Sequence, residues 1–385
     1  MARITKVIQL HNDANTTTTS TTYVVVNTGY NVYWDNDVYD GDVKVYFEAI
    51  LSTTSGGTAY AMFYTAGGSS VSGSEVTTTA TGATRVRSGD IKANLTDNTE
   101  YRSRFKASSG ATTTIYNVRL VIVQTGAVTK TETQIPLSGQ IASYNSNNSV
   151  VDNPYSYLYY FDQNRYDGSV SIYFESFLRN TGVGVTTTAY MTDTSNTVLT
   201  SVSRTSTTAA RVRSSAITPT DGTTYKIRMR TSSAGQYAFV MDTRLIIQQT
   251  GFTKTETHYP VRVTQLTDNT TGGIDINGKL YWDKDEWSVA SNAVYHEATM
   301  LISTGTKTAL LDLNDGSGDV TNATLSTSST SKTRVRSSSA IYLADNTEYD
   351  GQLRIDSTTA TATEVGARLI IHTQLMNAPN FGTNF

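Results

Sequence analysis

Cysteine is absent from the 385 residues, which excludes both a disulfide framework and any thiolate metal site. Proline is scarce, at five residues, and there are only four histidines. A basic excess is also missing. Lys and Arg total 30 against 33 Asp and Glu, a net charge of −3 with a pI near 5.8. A nucleic-acid partner, which would demand a basic face, is therefore not expected. No apolar run approaches the length of a membrane-spanning helix, so membrane insertion is not expected. The opening residues, MARITKVIQLHND, lack an apolar core and a cleavage site and do not read as a Sec signal. Charged residues make up only 16 %, yet disordered chains this polar are normally richer in charge and lack 24 Tyr and 10 Phe. The chain reads as folded.

What is present is one set of motifs written three times in the same order. The first is YFEA at Tyr46–Ala49, YFES at Tyr173–Ser176 and YHEA at Tyr295–Ala298. The second is RVRS, at Arg85–Ser88, Arg211–Ser214 and Arg334–Ser337. The third ends at the evenly spaced Tyr101, Tyr225 and Tyr349, as DNTEY, DGTTY and DNTEY. The fourth is RLVIV, RLIIQ and RLIIH, from Arg119, Arg244 and Arg368. Such self-similarity marks an array of copied domains, here assigned to residues 1–127, 128–252 and 253–385. Each is large enough to bury its own core.

Runs of four to eight residues rich in Val, Ile, Tyr, Phe and Thr alternate with Gly, Asn, Asp and Ser clusters, which predicts strands throughout. In the first copy they fall at 4–10, 22–26, 31–34, 43–51, 58–64, 83–88, 100–106 and 113–124. The fold class expected is all-β: three tandem antiparallel β-sandwiches of jelly-roll-like kind. Period-two alternation places Val45, Phe47, Ala49 and Leu51 in the core and turns Tyr46 and Glu48 outward. The same logic turns Arg119, Arg244 and Arg368 outward, opposite Leu120 and Ile122. The segments after Gly126 and Gly251 align with Ile4–Leu10, with Ile8, Ile135 and Tyr259 in equivalent positions. Each link is thus the first strand of the next domain, which predicts a stiff connection and domains strung in a row.

The outward ladder supplies the candidate site: Tyr46, Glu48, Arg85, Arg87 and Arg119; Tyr173, Glu175, Arg211, Arg213 and Arg244; Tyr295, Glu297, Arg334, Arg336 and Arg368. One reading is a polar binding site, since Tyr beside Glu and Arg on a sheet face suits sugars. The other is a cross-strand charge ladder or a packing interface, because Tyr and Arg are enriched where proteins meet. A glycosidase would need two positioned carboxylates, and only one recurs in all copies. A second recurring word is aromatic-Asp: Trp34-Asp35, Phe161-Asp162 and Trp282-Asp283. In the first copy it runs into Asp37, Asp40 and Asp42, hard oxygen ligands that could hold calcium or simply line a solvated turn. The loop from Asp312 to Asp319 looks like an EF-hand fragment without its twelfth-position glutamate, and reads as a hairpin tip. Residues 138–154 read as a long surface loop. No histidine position recurs, and no nucleotide-binding or nucleophile-elbow motif is found, so no enzyme and no required cofactor are expected.

In its Thr/Ser/Gly/Asn-rich tandem sandwiches, lack of cysteine and Met start, the chain resembles tandem β-sandwich proteins of phage virions, of the decoration or fibre type. That resemblance implies a non-enzymatic structural or accessory role, as a capsid decoration, head or tail fibre, or tail-associated protein. It implies a virion or extracellular location, and partners that are copies of itself, including trimers, and other virion subunits. The alternatives are an extracellular filament subunit, or a carbohydrate-binding adhesin whose three equivalent faces take surface glycans. The tail from Asn377 to Phe385 is a candidate for docking on another chain.

Overall fold

A computed structural model describes residues 2–11, 16–26, 31–138, 143–146, 148–262, 265–276, 279–287 and 293–375. The C-terminal tail singled out above lies outside the described residues, as do parts of the 138–154 segment. The regular structure of the described chain is strand apart from four short 3-10 helices, and the strands form six antiparallel five-stranded sheets that make three sandwiches.

The first lobe contains β1 (Ala2–His11), β2 (Thr16–Thr18), β3 (Val24–Val25), β4 (Val32–Trp34), β5 (Asp42–Thr53), β6 (Ala59–Thr65), β7 (Val76–Thr78), β8 (Thr84–Arg87), β9 (Thr99–Ala107) and β10 (Thr113–Gly126). One sheet runs β1-β10-β5-β8, with β2 also on β10; the other runs β3-β9-β6-β7, with β4 also on β9. The second lobe, from Lys130–Pro136 to Ala238–Thr250, and the third, from Lys254–Arg262 to Ala362–Gln374, repeat this order. The short β2 and β7 fall in Thr- and Val-Thr-rich stretches too brief to show alternation. The Asp312–Asp319 segment does close a hairpin, with Asp315 accepting from the Ser317 and Gly318 amides, whereas Asp312 itself is buried beneath Arg354.

Alternation explains each core. Val45, Phe47, Ala49 and Leu51 are all buried, and Phe47 stacks on Phe63 of the opposite sheet at 5.8 Å. Phe63 stacks in turn on Tyr101 at 5.0 Å. The third motif is a tyrosine corner. The hydroxyls of Tyr101, Tyr225 and Tyr349 accept the backbone N–H five residues upstream, at 2.6, 2.8 and 2.6 Å. Its second residue is Asn, Gly, Asn because the backbone there is left-handed, with φ of 55°, 72° and 52° at Asn98, Gly222 and Asn346.

The lobes are not strung in a row. Their first strands pack on one another, β1 against both Lys130–Pro136 and Lys254–Arg262, and those two together. Three homologous strands thus surround one pseudo-threefold axis. Equivalent residues meet there: Lys6 Nζ donates to Thr133 Oγ1, Thr255 Oγ1 and the Glu256 carbonyl, all at 2.7 Å. Thr133 and Thr257, which match Lys6 in the other copies, donate across the axis to the Glu256 and Thr5 carbonyls at 2.9 Å. The axial residues Ile4 and Lys6 lie on the same strand face as the core residue Ile8, so one half of the strand faces the axis and the other its own sandwich, while Val7 on the opposite face reaches the third lobe. At the end where the links leave, Ile4, Val128 and Phe252 close the axis with an apolar plug against which Leu375 packs.

Candidate functional site

The Tyr/Glu/Arg ladder forms as the register requires. Glu48 lies opposite Arg119 on one side and Arg87 on the other, and Glu175 and Glu297 repeat that pairing with Arg244 and Arg213, and with Arg368 and Arg336. In the first lobe Glu48 takes Arg85 Nε at 2.5 Å, Arg87 Nε at 3.0 Å and the Arg119 guanidinium. Burial would push the Glu48 carboxyl up, but the guanidiniums of Arg119, Arg85 and Arg87 hold it below the usual carboxylate range. Arg87 lies over the Tyr46 ring at 4.7 Å, and Arg213 and Arg336 lie over Tyr173 and Tyr295 at 5.5 and 4.0 Å.

The ladder is outward for its own sandwich but does not face solvent. Glu48 and Arg119 are each 1 % exposed, because another lobe covers them. Arg119 stacks on Tyr259 at 4.6 Å and Arg85 on Tyr281 at 4.4 Å, both in the third lobe. Arg211 of the second lobe stacks on Tyr33 of the first at 4.2 Å, and Arg334 of the third on Tyr160 of the second at 4.9 Å. Each ladder therefore receives the aromatic-Asp turn of another lobe: the first that of the third, the second that of the first, the third that of the second. The ring closes, as a heterologous interface with threefold rotation must. The expectation of a surface presented to other molecules is corrected: sheet periodicity distinguishes inside from outside of one sandwich, and says nothing of what lies beyond.

The aromatic-Asp words build the covering turn. Trp34, Phe161 and Trp282 are core residues, stacked on Tyr39, Tyr166 and Trp287 at 5.4, 6.4 and 5.1 Å. Asp35, Asp162 and Asp283 cap the 3-10 helices Asn36–Val38, Gln163–Arg165 and Lys284–Glu286 by accepting the second helical amide. The calcium expectation over Asp35, Asp37, Asp40 and Asp42 fails on geometry. Asp35 is committed to that cap, and Asp40 points away to the link, where it accepts the Thr129 and Lys130 amides at 2.8 Å. Among the described residues no group of three or more His, Cys, Asp or Glu is placed to hold a metal ion. Asp167 grips Thr253 and Lys254 in the same way at 2.7 and 2.8 Å, and Gln124 and Gln249 clasp the Lys130 and Lys254 carbonyls. In the sequence of the third copy, Ser288 and Thr373 occupy the matching positions.

The copies diverge where they touch. In the second, Arg244 leaves Glu175 for Asp242 and Gln134, while Arg211 and Arg213 stay on Glu175 at 2.9 and 2.8 Å. Burial pushes the Asp242 carboxyl up to about 7, against the pull of Arg244. Asp242 matches Asn117 and Gly366. Asn117 donates to the Lys279 carbonyl of the third lobe at 3.0 Å, and bare Gly366 lets the Tyr157 ring of the second lobe lie where a Cβ would sit. Near the axis the first-strand residues Thr5, Glu132 and Glu256 face turn residues Trp287, Tyr39 and Tyr166. The Tyr166 hydroxyl donates to Glu256 at 2.9 Å, and the Glu132 charge helps burial raise the Tyr39 hydroxyl. Where the strand carries Thr5 instead of an acid, the turn carries Trp287 instead of a phenol, and neighbouring Val7 packs with Trp287 in the third lobe's core. The sequence reading missed Lys6, Glu132 and Glu256. The signal was this matched exchange between link and turn.

No family model matches the chain, and no curated protein matches it. Among solved structures, a tandem CBM22 domain pair from Paenibacillus barcinonensis is 10 % identical over 63 % of this chain and 91 % of that one, with a TM-score of 0.20. The VP2 subviral particle of infectious bursal disease virus is 9 % identical over 100 % and 83 %, with a TM-score of 0.23. A putative beta-galactosidase from Bacteroides fragilis is 12 % identical over 56 % and 31 %, at 0.16. Likeness this loose carries no argument about activity, ligand or partner. Among the described residues no helix is long and apolar enough to cross a membrane.

Proposed function

We propose that the chain is a non-enzymatic structural subunit of a larger assembly, a phage virion surface component in the first instance. The observation that carries this is the use made of the repeated residues. The ladder, the aromatic-Asp turn and the link strand all serve to lock three lobes into one three-lobed block. One chain thereby supplies what a trimer of single-domain subunits would, and a pseudo-threefold body suits the local symmetry of a closed shell or a fibre. The adhesin reading drew on Tyr46, Tyr173 and Tyr295 as three open faces. Those rings are half-buried beneath Arg87, Arg213 and Arg336. The test is electron microscopy of the native particle at a resolution that separates lobes. The expected result is three-lobed density at the particle surface, one block per chain. Particles that lack the protein would end the reading.

A further inference from the structure

The three lobe junctions share one geometry but differ at the last residue of the short helix: Val38, Arg165 and Glu286. Glu286 bridges to Arg85 at 2.9 Å and Arg87 at 2.5 Å, opposite charges meeting across the junction. Arg165 brings a cation to the matching place, where the third lobe already presents Arg336. Arg165 lies 3.0 Å from His372 Nδ1, and Arg336 lies 3.0 Å from His372 Nε2. No protonation state of the ring offers both guanidiniums an acceptor, since a neutral imidazole has one bare nitrogen and a protonated one has none. A carboxylate can only accept, so Glu256 Oε1, 3.1 Å from Nε2, calls for an N–H at that nitrogen, and Arg336 then faces a donor. Arg87 and Arg213, its counterparts, pair with Glu48 and Glu175; Arg336 reaches no carboxylate among the described residues. Burial lowers its affinity for its proton; the charges of Glu297 and Glu256 oppose that, and those of Arg334 and Arg165 add to it. Asp162, 2.9 Å from Arg165 Nε, offsets only one of them.

This cluster opens on a cleft of about 370 Å3 between the second and third lobes, lined by Asn164, Arg165, Lys254, Tyr295 and His372, among others, with no carboxylate in its described lining. We propose that the cleft binds a small oxyanion of the phosphate or sulfate type, held by Arg165 and Lys254 and charge-balanced by Arg336. The inference is independent of the virion reading. It is tested by isothermal titration calorimetry of the whole chain with sodium phosphate and, separately, sodium sulfate, at ionic strength fixed with sodium chloride. Saturable binding at one site per chain is expected. The variants Arg165→Val and His372→Gln, which install the residues found at the matching Val38 and Gln248, should weaken it at least about tenfold. Lys254→Ala, on the exposed rim, is the variant least able to disturb folding, and it should weaken binding too. Absence of saturable heat with both anions overturns the proposal, as does affinity unchanged in all three variants.

Discussion

Two junctions of the ring solve the same problem by opposite means. Where the second lobe meets the third, the chain itself is the tie: Asp167 and Gln249 clamp the link, Tyr157 fills the notch over Gly366, and Lys332 Nζ reaches the Pro154 carbonyl at 2.6 Å. Where the third lobe meets the first, no link exists. There the turn carries Glu286 against Arg85 and Arg87, and Val7 enters the third lobe's core beside Trp287. A covalent tie holds the ends of a junction at high effective concentration, so that junction tolerates two facing guanidiniums. The untied one must hold itself by charge and apolar burial.

That contrast can be broken most sharply at its shared centre. Replacing Glu48 by Ala strands Arg119 in a buried site, and equilibrium denaturation should show a loss of about 3–5 kcal/mol. The matching Glu175→Ala should lose less, because Arg244 keeps Asp242 and Gln134. Next in size is Gly366→Ala, which drives a methyl into the Tyr157 ring and should cost about 1–3 kcal/mol by the same measurement. Glu286→Gln should cost about 1–2 kcal/mol and expose the first-to-third junction to limited proteolysis, while Arg165→Val leaves its linked junction closed.

Lys6 gives a pH signature. Burial lowers its ammonium to about 7, against the pull of Glu256. Between about pH 7 and 10 the unfolded chain then holds a proton that the folded chain has released, so stability rises with pH across that window. Thermal unfolding should show this rise in the parent and lose it in Lys6→Met. Glu48 and Glu297 act in the same direction in the acid range. The guanidiniums hold both below the ordinary carboxylate range despite burial, so their contribution is full at neutral pH and fades as acid carries the pH through their folded values. Asp40→Asn should be the mildest change, below about 1 kcal/mol, since the amide oxygen still accepts from the link.

Much of each sandwich was readable from residues alone. Alternation separates Phe47 and Leu51 from Tyr46 and Glu48 because a pleated strand offers only two faces. The retained Tyr101, Tyr225 and Tyr349 mark a corner with its own backbone partner. The ring was harder to see because its contacts join residues far apart in sequence through positions that no period connects. Two clues were nonetheless present. The recurring Glu and Arg residues lay on one sheet face, which a solvated surface gives no reason to preserve, and Trp287 replaced a tyrosine in the copy whose partner strand has Thr5 for glutamate. Calcium and a solvated turn stood as alternatives because clustered aspartates serve equally as ligands, caps and link clamps, and spacing along the chain does not say which way Asp40 points.

Small-angle X-ray scattering of the purified chain tests the closed ring most directly. A compact body of this length has a radius of gyration near about 21 Å, and that is the value expected. Three sandwiches extended in a row would give more than about 30 Å, a result that would contradict the closure of the third lobe on the first.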